Sequence, residues 1–383
     1  MKFLVVTFVL LSSAVLAAPD EEALLKPKSI VDVYSRMDEF QPARGVQKAA
    51  EPRPLKRAEN VSDQGLNSLL NAFLDSNRNT GLLVLKGDTI VAERYQYART
   101  AEHRFASASM AKTVLGMLVG IAVHEKKIAS VDDKAEQYVP ALKGHPYGEV
   151  SIRHLLTMSS GIEWKETWGG LRDEGTRLVE NTIWRKTEGG ADTVINFKRE
   201  VAGGKRFNYA SGDSQTLGLV LRAAVGMPLA QYLSEKIWQP MGAEANATWL
   251  IDKGGYEMGY CCLNATLRDY GRFGLLLANG GARDGRQIIP AEWVKAATTA
   301  SAPYLRVGFA TSNNGYGYQT WLIDHEGRFA ALGVRGQAIY IDPHTKVVVV
   351  HTAAWAENRD TAARGEQFRL WERILKTLSE KAA

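Results

Sequence analysis

Strand patterns lie at the two ends of this chain, and helical patterns fill the stretch between them. Near the start, Gly81–Leu85 and Thr89–Tyr95 are rich in β-branched and aliphatic residues and flank the turn Lys86-Gly87-Asp88, which predicts a hairpin. Near the end, Tyr318–Ile323, Phe329–Leu332, Gln337–Ile341 and Val347–Thr352 predict four more strands. Their turns are Asp324-His325-Glu326-Gly327 and Asp342-Pro343-His344-Thr345. Leu66, Leu69, Leu70, Phe73 and Leu74 recur on one face of a helix predicted over Val61–Ser76, and Trp371, Ile374, Leu375 and Leu378 mark a closing helix. Strands separated by some 200 residues of helical chain cannot form βαβ units with one another. The expectation is an α+β fold: an antiparallel sheet built from both chain ends (59–108 and 300–383), flanked by helices, with a mostly helical region (109–299) inserted. An apolar content of 45% against 23% charged residues suits such a globular unit and excludes disordered or fibrous classes.

The N-terminus reads as a secretory signal over residues 1–17. Met1-Lys2 is a short positive region, Phe3–Val15 is apolar, and Val15-Leu16-Ala17 places small residues for cleavage after Ala17. The apolar run is too short for a good membrane span, although an uncleaved anchor is the alternative. The expected location is periplasmic or secreted, without stable membrane insertion. Residues 18–58 carry Pro19, Pro27, Pro42, Pro52 and Pro54 and are expected to form an extended leader. A net charge of +5, scattered and paired with acids, gives no basis for nucleic-acid binding. The histidines form no ligand spacing, so no metal and no cofactor is expected. The two cysteines, Cys261 and Cys262, are adjacent. A vicinal disulfide would be strained, which favours two buried thiols.

Ser109-Met110-Ala111-Lys112 is the only S-x-x-K in the chain. Residues three apart share a helical face, so the amine can approach the hydroxyl. The run Thr113–Val123 is almost wholly apolar, as in a buried helix, and burial disfavours the charged form of Lys112. A neutral amine can take the serine proton and activate a nucleophile. The bland alternative is a capping Ser109 and a Lys112 that snorkels to solvent. No G-x-S-x-G elbow, H-E-x-x-H or P-loop is present, and Gly212-Asp213-Ser214 continues with Gln215, against a GDS-type lipase motif.

These residues, together with Val150-Ser151-Ile152-Arg153-His154-Leu155-Leu156-Thr157-Met158-Ser159-Ser160-Gly161, Tyr209-Ala210-Ser211, the helix Leu263–Gly274 and Gly333-Val334-Arg335-Gly336-Gln337, resemble the serine β-lactamase and penicillin-binding-protein-like hydrolases, class C branch. The resemblance covers about residues 60–380. Within the family the chain most resembles 6-aminohexanoate-dimer-hydrolase-like amidases and related esterases. The resemblance implies a β-lactamase-like fold and an acyl-enzyme on Ser109, with Lys112 as general base and Tyr209 as acid/base. It implies an oxyanion hole from the backbone N–H groups of Ser109 and Gln337, with Gln337 on a strand beside the nucleophile. Ser211 and Gly336 would contact substrate, and Trp168, Tyr316 and Trp355 are further candidates to line the cleft. His154 is expected to be a packed structural histidine.

One position departs from the family pattern. Where β-lactamases carry Lys or His two residues before the glycine of the third motif, this chain has Val334. The neighbouring Arg335 would face the other side of a strand. The expected substrate is therefore a neutral or linear amide or ester, small-molecule or peptide, rather than a penicillin. A D,D-peptidase or D-aminopeptidase, a weak β-lactamase, and a silent cell-wall-binding member are the alternatives.

Overall fold

The computed structural model describes residues 27–58, 64–168 and 173–380, so the signal segment and its cleavage point lie outside the described residues. The two chain ends do meet. Strand Val347–Ala353 pairs antiparallel with Asn79–Lys86, in register from Val347 opposite Lys86 to Thr352 opposite Gly81. This pairing sits inside an eight-stranded sheet whose order runs 315–316, 321–322, 329–332, 338–342, 347–353, 79–86, 89–95 and 56–57. All neighbours are antiparallel except Lys56–Arg57, which runs parallel to Thr89–Ile90. The fold is the expected α+β arrangement.

Side-chain alternation along the strands gives the sheet two buried faces. Leu82, Val84 and Val349 face the terminal helices Gln64–Ser76 and Thr361–Glu380, through Leu70, Phe73, Trp371 and Ile374. Leu83, Leu85, Val348 and Val350 face the larger core, which also holds Val114, Leu115 and Leu118 of helix Met110–His124. The sheet thus presents one face to the helix that carries the S-x-x-K motif.

The helix expected over Leu263–Gly274 begins later, as Leu267–Ala278, after the strand Leu263–Ala265, and four further expectations need correction. Of the segment expected as an extended leader, the described part (27–58) holds a helix, Pro27–Phe40, that buries Ile30, Val31, Val33 and Met37, and residues 18–26 lie outside the described residues. Its prolines mark the helix limits, since Pro27 occupies the first turn, where no N–H partner is lost, and Pro42 follows the end. Arg104 binds Asp38 at 2.6 Å, and Thr248 donates to the same carboxylate, which ties this helix to the body. The chain then adds Ala43–Val46 to a second sheet, in the order 43–46, 247–250, 263–265, 105–106.

The strand expected over Tyr318–Ile323 is reduced to Trp321–Leu322, because Gln319 turns the chain at φ 52° and buries its amide. That amide donates to Leu155 O at 2.8 Å and accepts from Ser214 Oγ at 2.7 Å, linking two helices of the inserted region. The third-motif residues also leave the strand: Val334–Gly336 form a turn, with Arg335 at φ 56° and Gly336 at φ 96°. Finally, Cys261 and Cys262 form a disulfide rather than two thiols, with Cys262 at φ 74°.

Candidate active site

Helix Met110–His124 begins directly after Ser109, and all but its last two residues are buried. Ser109 sits at the N-cap position, yet its side chain makes no capping hydrogen bond, so the hydroxyl is free for another partner. That partner is Lys112, whose Nζ donates to Ser109 Oγ at 2.8 Å. Lys112 does not snorkel. It is 1% exposed, and its other two hydrogen bonds go to Ser211 Oγ at 3.1 Å and Tyr260 O at 2.8 Å. Burial pushes its amine down to about 8, against the upward pull of Glu166 and with help from the Arg359 charge. The capping and snorkelling alternative is excluded on both counts.

Glu166 completes the polar cluster. It is 5% exposed and accepts from Ser211 N at 2.8 Å, Ser211 Oγ at 3.0 Å and Trp164 Nε1 at 2.9 Å. Ser211 opens the helix Ser211–Val225, so the carboxylate also meets the positive end of that helix. The loop that carries Glu166 is held by Asp173, which accepts from Thr167 Oγ1 at 2.7 Å, Trp168 N at 2.9 Å and Thr176 N at 3.0 Å.

The Tyr209 phenol has the Ser109 hydroxyl as its side-chain partner, and burial and the Glu166 charge keep its pKa well above the usual value. It therefore stays protonated and can donate. The Tyr209 ring lies 5.0 Å from Lys112 Nζ and stacks on Trp321 at 5.3 Å. The turn Gly333–Gln337 packs beside the nucleophile: a Cβ on Gly333 would come within 2.7 Å of Ser107 O and 3.0 Å of Ala108 Cβ. The backbone N–H groups of Ser109 and Gln337 donate to no acceptor among the described residues.

Two cavities, of about 340 and 350 Å³, share Ser109, Val334 and Asn358. Trp168 and Ser211 line the first. Tyr209, Glu166, Trp355 and the exposed Arg359 line the second. Three expected roles change. Tyr316 is 1% exposed, lines neither of these two cavities and packs edge-on to the Tyr209 ring, so it positions Tyr209 rather than touching substrate. Gly336 meets protein instead of ligand, since a Cβ there would lie 2.6 Å from Trp355. Arg335 is engaged, but by a turn and not by strand alternation: its guanidinium donates to Trp355 O and Ala356 O at 2.6 Å. Glu166 and the Tyr260 carbonyl were not singled out from sequence. His154 is half-buried against Gly203 and Gly204, a packed position as expected.

The Beta-lactamase family profile matches residues 66–370. The chain is 25% identical over 336 residues to 6-aminohexanoate-dimer hydrolase of Paenarthrobacter ureafaciens, covering 85% of each chain. Among solved structures it is similar to a Bacillus anthracis protein assigned as a 6-aminohexanoate-dimer hydrolase, at 26% identity and TM-score 0.83, covering 93% of this chain and 96% of that one. A penicillin-binding protein from Bacillus halodurans shares the fold at 17% identity and TM-score 0.63, over 80% of this chain and 99% of that one. With most of its length inside the family profile, the chain belongs to the beta-lactamase family of serine hydrolases.

Proposed function

We propose that this hydrolase is an amidase or esterase that works through an acyl-enzyme on Ser109. One observation carries the reading: a buried lysine, with its amine brought down to about 8, is hydrogen-bonded at 2.8 Å to a serine hydroxyl that caps nothing. In its neutral form Lys112 takes the Ser109 proton as Oγ attacks the substrate carbonyl. Negative charge then gathers on the carbonyl oxygen, where the N–H groups of Ser109 and Gln337 can receive it. Tyr209 gives its proton to the leaving nitrogen or oxygen as that bond breaks, and the Lys112 ammonium restores the phenol. Water, deprotonated by the same amine, releases the acid. Val334 at the junction of the two cavities puts no cation where β-lactamases carry one, which favours linear amides or esters, and the exposed Arg359 lining the second cavity is compatible with an anionic leaving group. The similarity to 6-aminohexanoate-dimer hydrolases supports an amide among them. The N-terminal apolar run supports a periplasmic or secreted location.

Intact-mass spectrometry tests the reading. Protein treated with a fluorophosphonate, a p-nitrophenyl ester or a penicillin should gain one adduct with the fluorophosphonate and turn over the ester, and Ser109→Ala should do neither. A penicillin adduct that persists for hours would instead favour a D,D-peptidase-like enzyme. Labelling that survives Ser109→Ala would refute the proposal.

A further inference from the structure

The first cavity is a composite. One wall comes from the helix Pro27–Phe40, through Val33 and Met37, and lies N-terminal to the residues that match the family profile. Val179 and Ile183 line the cavity as well, and Trp168 lines it from the loop of Glu166. Ser109 lines it too. At about 340 Å³ it has the size of a small-ligand site, and its lining is mainly apolar.

The chemistry of the site orients a substrate across the two cavities. The group that protonates the leaving atom must lie on the leaving-group side of the scissile bond. Tyr209 lines the second cavity and not the first. The leaving group therefore occupies the second cavity, and the acyl group points into the first. The ionisable side chains at the first cavity are already engaged. Glu180 binds Arg185 at 3.2 Å, and Arg335 is tied to two carbonyls and lies 5.6 Å over the Tyr34 ring. Trp168 Nε1, buried there with no partner among the described residues, is a donor and suits a neutral oxygen, not an ammonium.

We propose that the cavity under the helix Pro27–Phe40 is the acyl subsite, and that the acyl group it takes is an uncharged, mainly apolar chain or ring. This rests on Ser109 being the nucleophile. It goes beyond that reading by separating this chain from enzymes that take an acyl group ending in an ammonium.

A chain-length series tests it. The purified protein is assayed with p-nitrophenyl acetate, butanoate, hexanoate and octanoate, and with 6-trimethylammoniohexanoate, which carries a fixed cation. The expected kcat/KM rises about fourfold per added methylene until the cavity is filled. The cationic hexanoate falls at least about tenfold below plain hexanoate. Val33→Trp narrows the cavity and should lower the octanoate-to-acetate ratio by about tenfold or more. Met37→Ala enlarges the cavity and should move the preferred length upward. Each ratio is taken within one preparation, so loss of folded protein cancels. A flat series with Ser109-dependent turnover would overturn the acyl subsite alone, as would a preference that neither variant moves. No Ser109-dependent turnover of any ester would overturn this inference together with the reading it rests on.

Discussion

Lys112 and Glu166 are joined by a single hydroxyl. Lys112 Nζ donates to Ser211 Oγ at 3.1 Å, and Ser211 Oγ donates on to Glu166 Oε1 at 3.0 Å. A buried ammonium and a buried carboxylate in direct contact would stabilise each other's charges and leave the amine a poor base. The intervening Ser211 weakens that attraction. Burial then outweighs the pull of Glu166, and the amine falls to about 8 instead of rising.

The first prediction follows from that balance. Catalysis needs the neutral amine, whose fraction falls about tenfold for each pH unit below its pKa. kcat/KM for a neutral ester should rise with pH and reach half its plateau near pH 8. Lys112→Ala should lose about 10²–10⁴ in rate and the limb with it. A profile flat from pH 6 to 9 in the wild type would refute the assignment of Lys112 as base.

The second concerns Glu166, whose charge raises the Lys112 pKa. In Glu166→Gln that upward pull is gone, so the limb should move below 8 while the plateau falls. Steady-state profiles of both proteins read the shift directly. A lower plateau with an unmoved limb would mean that Glu166 only holds Ser211 and Trp164 in place.

Parts of this site were legible in the sequence, for physical reasons. The S-x-x-K helix announces itself because one helical turn sets the distance from Ser109 to Lys112 and the apolar run after it can only be buried. The strands Phe329–Leu332 and Val347–Ala353 and the hairpin around Gly87 are local patterns too. Glu166 was not legible as a partner of Ser211, because no local period relates residues 45 positions apart. The third motif misled for a different reason. Arg335 adopts a left-handed backbone that its residue type does not advertise, so a turn looked like a strand. Pro27 and Pro42 bound a helix, and proline content alone does not distinguish that use from an extended chain.

The third prediction uses Asp213, which is fully buried beside Tyr147 and is raised by burial from 3.8 to about 7. Because its folded-state pKa lies above the unfolded value, the folded protein holds a proton that the unfolded chain releases between about pH 4 and 7. Its stabilising contribution is present at low pH and is lost as pH rises through that window, by up to about 4 kcal/mol. Asp213→Asn keeps an acceptor for the Tyr147 hydroxyl and removes the titration. Urea unfolding at pH 5 and pH 8 should show a smaller stability difference in the variant than in the wild type. An equal difference in both would show that Asp213 titrates normally.

The fourth tests why the third motif is a turn. Gly336 stands at φ 96°, and a Cβ there would sit 2.6 Å from Trp355 Cε2 and 2.7 Å from Ala353 Cβ. Gly336→Ala should therefore cost roughly 1–2 kcal/mol for the left-handed backbone and about 1–3 kcal/mol for overpacking. The Trp355 indole cannot yield freely, because its Nε1 donates to Asn79 Oδ1 at 3.1 Å and Asn79 is itself buried. The clash would instead push the turn, and with it the Gln337 N–H, away from Ser109. Thermal unfolding should show a lower Tm. At a temperature where the variant is still folded, kcat should fall more than KM changes, since the oxyanion contact grows only in the transition state. An unchanged kcat in folded Gly336→Ala would place the second oxyanion donor on some residue other than Gln337.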